Sequence, residues 1–369
     1  MKRNKVIVSL VAGVVLSVAS AFLSFASNGL EVHFIDVGQA DAIFVKCDNH
    51  CMIIDGGNSS DSALIYSYMK KQGVKSLDYI VNTHGDEDHV GGLPGAIQFV
   101  GKNIGNVLAP YTDIDKTSFK TFKKKLNEVG KGITVPQIGE KFNLGGASFQ
   151  ILSSGGTDKN ESIVLRLKYG NTSFLFTGDS EENQEREIVN SGYEVESDVL
   201  KVGHHGSDTS SCYQFLRAVY PKYAVICVGS DNSYGHPTDT VLSRLRDEGA
   251  SVLRTDNNGD IIFTSDGKQL KCSTEKKWDQ NSNLVPGGKT SQTGESNKSK
   301  SGNAAAVVSA DSSAEGNAQT YVLNTNTKKF HYPNCSSVKK MKDKNRKDVT
   351  DTRENIIESG YDPCKKCNP

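Results

Sequence analysis

The chain has 369 residues, with 43 Lys and Arg balanced by 43 Asp and Glu and a hydrophobic content of 36%. It is longer than one average domain, so it fits a single large domain with an appendage. A net charge of zero excludes a uniformly basic nucleic-acid-binding chain, and any grip on a polyanion has to be local.

The first segment, residues 1–26, pairs a basic start, MKRNK, with the apolar run VIVSLVAGVVLSVASAFLSFA, which ends in small residues suited to signal-peptidase cleavage. The run is also long enough to stay in a bilayer. A signal peptide or membrane anchor is expected here, which places the rest of the chain outside the cell, secreted or held to the membrane by this segment. From 29 to 277, apolar runs (EVHFIDV, AIFV, CMIID, DYIVN, SIVLRL, SFLFTGD, DVLKVG, YAVICVG, GDIIFTS) alternate with helically spaced segments such as SDSALIYSYMKKQG, SEENQEREIVNSG and PTDTVLSRLRDEG. That alternation, with Gly-rich turns, indicates an α/β domain. Cys47 and Cys51 flank a turn, where a hairpin disulfide and two free buried thiols are both open. Residues 279–320 are Ser-, Gly- and Asn-rich and read as a flexible linker, and 321–369 as a compact tail. The tail carries 11 Lys and Arg against six Asp and Glu, net +5, whereas residues 27–320 carry 29 against 37, net −8. The lysine run KTSFKTFKKK, Lys116 to Lys125, is the exception in the acidic body, as a solvated helix face or a grip for a polyanion.

The stretch NTHGDEDHVGG, Asn82 to Gly92, crowds His84, Asp86, Asp88 and His89 into a loop fed by the strand-like LDYIV. Side chains delivered at the end of a strand sit on a rigid support, as a catalytic site requires. Further on, FLFTGD carries Asp179, LKVGHHGS carries His204 and His205, and NSYGHP carries His236. The loop resembles the His-x-His-x-Asp-His signature of the metallo-β-lactamase fold, with Asp86 where the second His usually stands. Together, HFIDVGQADAIFV, THGDEDHVGG, FLFTGDSEE, LKVGHHGSDTSS and NSYGHP resemble the hydrolase domain of ComEC-type DNA-uptake proteins over residues 29–267.

The resemblance implies an αββα sandwich holding two divalent ions, zinc or manganese. His84 and Asp86 are expected on one ion, Asp88, His89 and His205 on the other, and Asp179 between them. Asp55 is expected to organise the loop and His236 to line the same cleft. Of His204 and His205 one completes the second ion and the other faces the reacting phosphate, an alternative the resemblance leaves open, with His205 taken first as the ligand and His204 as the group at the phosphate. Asp36 and Asp41 are weaker candidates for support around the ligands, and His33 and His50 are assigned to structure or surface. One departure concerns the His usual midway between loop and bridging Asp: DKNESIVLRL has none, so the first site is oxygen-rich and manganese becomes a competitor.

In the tail, His331, Cys335, Cys364 and Cys367 form a His-x3-Cys…Cys-x2-Cys set suited to one structural zinc. It resembles the small zinc module of the Ada DNA-repair protein, with His331 at a cysteine position, which removes any reason to expect methyl transfer. The leading expectation is an exported metal-dependent phosphodiesterase, most simply a nuclease that hydrolyses DNA with a metal-activated hydroxide. The rivals are a hydrolase of another ester or amide, phosphocholine- or lactam-like, and a non-enzymatic DNA-binding surface protein.

Overall fold

Strands apolar at every position need cover on both faces, whereas alternating strands need it on one. The chain supplies both kinds. The computed structural model describes residues 29–155, 161–284, 319–333, 335–364 and 366–367. The expected signal or anchor segment, 1–26, lies outside the described residues. Among the described residues no helix is long and apolar enough to cross a membrane.

In chain order the body runs β1 (Leu30–Phe34), β2 (Ala42–Cys47), β3 (His50–Gly56), α1 (Ser62–Lys71), β4 (Leu77–Val81), α2 (Glu87–Val90), α3 (Leu93–Val100), β5 (Ile104–Leu108), α4 (Thr117–Glu128), β6 (Lys141–Leu144), β7 (Ala147–Ser154), β8 (Ile163–Tyr169) and β9 (Thr172–Phe176). It continues through α5 (Glu182–Asn190), β10 (Val199–Lys201), α6 (Tyr213–Val219), β11 (Tyr223–Ile226), α7 (Asp239–Asp247), β12 (Ser251–Arg254), α8 (Thr255–Asn258), β13 (Ile261–Ser265), β14 (Leu270–Thr274) and α9 (Gln280–Asn283). The tail adds β15 (Gln319–Asn324), β16 (Lys329–His331), β17 (Arg346–Asp351), α10 (Arg353–Glu358) and β18 (Asp362–Pro363).

Two seven-stranded sheets result, ordered β14-β13-β1-β2-β3-β4-β5 and β12-β11-β10-β9-β8-β7-β6. Sequence pattern places each strand. Central β9 is buried at all five positions, while edge strand β6 is buried only at Leu144. Phe34, Phe174, Phe176, Phe263 and the aliphatic residues around them fill the space between the sheets. Burial of each such ring stabilises the fold by roughly 1.5–3 kcal/mol. Phe44, Ile53, Ile80 and Val107 on the outer face of the first sheet pack against Ile65, Met69, Leu93, Ile97, Phe119 and Phe122 of α1, α3 and α4. The second sheet is covered by Ile188, Phe215, Leu216, Leu242 and Leu245 of α5, α6 and α7. This is the αββα sandwich that the sequence resemblance implies.

Cys47 belongs to the inter-sheet core and Cys51 to the outer layer, so the two thiols point to opposite faces of the same sheet. Both are free and buried. Order continues into the stretch expected as linker: the Asn283 amide donates to the Val252 carbonyl at 2.9 Å, and the Trp278 indole donates to the same carbonyl at 3.1 Å. The tail sheet, ordered β17-β15-β16-β18, likewise begins at Gln319 rather than 321.

β3, β4 and β5 run parallel in one sheet, as do β9 to β12 in the other. Loops leaving the carboxyl ends of β3, β4, β9 and β10 carry Asp55, the His84–His89 cluster, Asp179 and His204–His205. Ligand sites in α/β sheets collect at such ends.

Candidate metal centre

Asp55 leaves β3 in a left-handed conformation, φ 55°, and is fully buried. Its carboxylate accepts the Thr83 N–H at 2.8 Å, the Thr83 hydroxyl at 2.6 Å and the Asn82 amide at 3.2 Å. It also lies 2.9 Å from His89 Nδ1. A carboxylate there accepts a hydrogen bond from Nδ1–H and directs Nε2 towards the cluster, the usual arrangement behind a metal-binding imidazole. Asp86 caps α2, its carbonyl accepting the N–H groups of His89 and Val90 at 3.1 and 3.0 Å. Asp88 and His89 thus sit within one helical turn.

Four of the expected ligands converge. Asp88, His89, Asp179 and His205 offer donor atoms all within 4.8 Å of one another. His205 Nε2 is 3.2 Å from Asp88 Oδ2 and 3.7 Å from Asp179 Oδ1, and His89 Nε2 is 3.2 Å from Asp179 Oδ1. His205 Nδ1 lies 2.8 Å from the Cys227 carbonyl, which orients the ring with Nε2 inward. His84 Nε2 is 3.8 Å from both Asp86 Oδ2 and Asp179 Oδ2. Asp179 therefore turns Oδ1 towards one set and Oδ2 towards the other. Asp86 is half-exposed and touches the Lys116 ammonium.

The donor set fits divalent cations. His89 Nε2 and Asp179 Oδ1 are buried without a hydrogen bond among the described residues, a costly state that a coordinated cation would relieve. Burial alone would lower His89, but the charges of Asp179 and Asp55 lift it well above the ordinary imidazole value. Burial would raise Asp88, yet the His205 hydrogen bond and the His89 charge bring it down to about 2. Burial, with His89 beside it, lowers His84 to about 3.

His204 and His205 both adopt left-handed backbone, φ 48° and 51°, at a cost of about 1–3 kcal/mol each. The turn sends the neighbours apart. His205 is buried in the cluster, while His204 is about one-third exposed with Nδ1 3.3 Å from Glu181 Oε1 and Nε2 3.8 Å from Asp179 Oδ2. The His236 ring meets His204 edge-on at 5.7 Å, so it lines the same cleft. Gly178, at φ +52°, has no room for a side chain: a Cβ would stand 2.7 Å from Ser162 Oγ and 2.8 Å from Thr83 Oγ1.

Several participants escape sequence reasoning. Ser162, in the region without the expected His, accepts the Asp179 N–H at 2.9 Å and stands 3.4 Å from His84 Nδ1. Lys201 is wholly buried, contacts Asp41 and donates to the Gly178 carbonyl at 2.9 Å. Burial would lower Lys201, but Asp41 and Asp179 raise it. Its signal is a lysine inside the apolar run DVLKV. Asp41 also lies 3.7 Å from His89 Nδ1 and 3.4 Å from His205 Nδ1, directly behind the ligands. Asp36 turns elsewhere, 3.7 Å from Lys276. His33 is buried against the Tyr68 hydroxyl at 2.8 Å, and exposed His50 pairs with Asp78 at 2.8 Å. In the tail, His331, Cys335, Cys364 and Cys367 gather within 4.8 Å, and neither buried nitrogen of His331 has a hydrogen-bond partner among the described residues. Burial opposes ionisation of Cys335, but the Ser337 N–H and the neighbouring His331 and Cys367 bring it down to about 6, favouring the metal-binding thiolate.

Residues 35–230 match the model of the metallo-beta-lactamase superfamily, more than half of the chain. The chain belongs to that superfamily. It is 31% identical to ComE operon protein 3 of Bacillus subtilis, over 63% of this chain and 33% of that one. It is 33% identical to competence protein ComA of Neisseria gonorrhoeae, over 64% of this chain and 32% of that one. It thus spans about a third of the length of these curated relatives. Among solved structures it is similar to the metallo-beta-lactamase fold protein YhfI of Bacillus subtilis, with a TM-score of 0.45 and 13% identity over 65% of this chain and all of that one.

Proposed function

We propose that the protein is an exported, metal-dependent phosphodiesterase that hydrolyses DNA. The observation that carries this is the two-sided Asp179, with Asp88, His89 and His205 gathered at one oxygen, His84 facing the other, and Asp86 on the far side of His84. Those six residues would hold two divalent ions. Such a pair supplies an activated water at neutral pH and neutralises charge developing on a phosphodiester. Around them, Asp55 and the Cys227 carbonyl keep Nε2 of His89 and His205 directed inward. Lys201 and Asp41 fix the charge behind the ligands. Partly exposed His204, oriented by Glu181, stands where it can donate to a phosphate oxygen. The similarity to competence proteins, and Lys116 at the rim of the cluster, favour DNA over other esters.

The test is incubation of the exported chain with labelled single- and double-stranded DNA, with and without manganese or zinc. Metal-dependent cleavage is expected from the wild type and less than a thousandth of it from a folded Asp88→Ala variant. Metal-loaded protein that leaves DNA intact but opens a lactam or cleaves a phosphocholine ester would replace this reading with the rival hydrolase.

A further inference from the structure

A line of rings leads from the metal centre to solvent. His204 Nε2 lies 3.8 Å from Asp179 Oδ2, and His236 meets the His204 ring edge-on at 5.7 Å and 75°. Tyr234 then stacks on His236 with centroids 5.6 Å apart and planes 23° from parallel. His236 is only 9% exposed, whereas Tyr234 is 71% exposed. The support beneath Tyr234 is stiff. The Asn232 side chain donates to the carbonyls of Gly229 and His236, both at 2.7 Å, and accepts the His236 N–H at 3.0 Å. One face of the tyrosine is therefore backed by a clamped ring and the other is open to water.

We propose that Tyr234 is a stacking platform for the base next to the scissile phosphate, so that the site takes single-stranded nucleic acid. This rests on the phosphodiesterase reading above and names its substrate class. Two ring contacts, at 5.7 and 5.6 Å, join His204 to Tyr234, which keeps the tyrosine near enough to the phosphate position for a flanking base to reach it. A base placed there extends an existing stack, and every base has a face suited to it, so the contact is indifferent to sequence. Bases inside a duplex are already stacked on their neighbours and cannot reach it. A simple alkyl phosphodiester gives the tyrosine nothing to hold.

The experiment uses the full chain with manganese and two single-stranded oligomers of equal length, one of ordinary deoxynucleotides and one of abasic tetrahydrofuran units. The wild type should show a KM about tenfold lower for the base-bearing oligomer. Tyr234→Ala should abolish that preference with kcat changed much less, and Tyr234→Phe should keep it. Equal KM values for the two oligomers in the wild type, or a preference that survives Tyr234→Ala, would overturn the platform while leaving DNA hydrolysis intact. Should the wild type cleave neither oligomer, fluorescence anisotropy decides. A binding preference lost in Tyr234→Ala would uphold Tyr234 as a base platform for single strands and sink, with the nuclease reading, its place beside a scissile phosphate; no preference would sink both.

Discussion

At the scale of single residues, the unusual feature is a lysine with no access to solvent. Lys201 sits under the ligand loops because Asp41 and the Gly178 carbonyl receive its ammonium. Two buried opposite charges roughly cancel each other's desolvation, but either one alone is expensive. Lys201→Met should therefore cost about 3–5 kcal/mol by leaving Asp41 uncompensated. Adding Asp41→Asn should recover part of that loss. Urea unfolding of the two variants checks this, and an unchanged midpoint for Lys201→Met would show that Asp41 finds its partner elsewhere, in His89 or His205.

At the scale of elements, the turn from β10 to α6 has to hold two left-handed histidines in place. Buried Glu185 of α5 helps, accepting the N–H groups of Ser211 and Cys212 at 2.6 and 2.9 Å. The Arg244 guanidinium donates to the Ser210 carbonyl at 2.8 Å on the same segment. Burial pushes Glu185 up to about 7, against the lowering effect of those hydrogen bonds and of Arg244. A folded-state pKa above the unfolded one adds stability that is complete below the unfolded value and lost as pH rises through the folded value. For Glu185 the window runs from 4.5 to about 7, and the amount is on the order of 3 kcal/mol. Glu185→Gln keeps an acceptor oxygen but does not titrate. Its melting temperature relative to wild type should climb between pH 5 and pH 8, and a constant difference across that range would refute the assignment.

Across the whole molecule, the tail module docks on the helices that follow the loops bearing Asp179 and His205. Tyr213 of α6 packs with Tyr321, Phe330, Ile356 and Ile357 of the tail. Arg353 donates to the Tyr213 hydroxyl and to Asp247, both at 3.2 Å, and Arg186 of α5 pairs with Asp362 at 3.6 Å. The module's own apolar core is small, so a metal held by the His331–Cys367 set would supply much of its folding energy. Strong chelation of the full chain should therefore open residues 319–367 to protease while the body, with its two packed sheets, stays resistant. Added zinc should restore protection. A tail equally resistant with and without zinc would mean that docking on Tyr213 holds it folded unaided.

The sequence by itself determined the strand-end loops of the body and the ligand spacing of the tail, because both depend on short-range pattern. Apolar runs specify β4, β9 and β10, and the polar residues directly after them are then delivered at strand ends wherever the sheets form. His-x3-Cys and Cys-x2-Cys spacings are likewise local. What only the tertiary structure decided depends on groups distant in the chain and on the pleat that turns them. Cys47 and Cys51, though close in sequence, face opposite layers because alternate residues of a pleated sheet leave it on opposite sides. His204 and His205 part because both are left-handed, in a turn whose following segment, 210–212, is pinned by Glu185 and Arg244 from α5 and α7. Lys201 meets Asp41, and Arg353 meets Tyr213, across a sequence separation of 140 or more. Buried charges must find partners, and the packing of layers, not periodicity, brings the partner within reach.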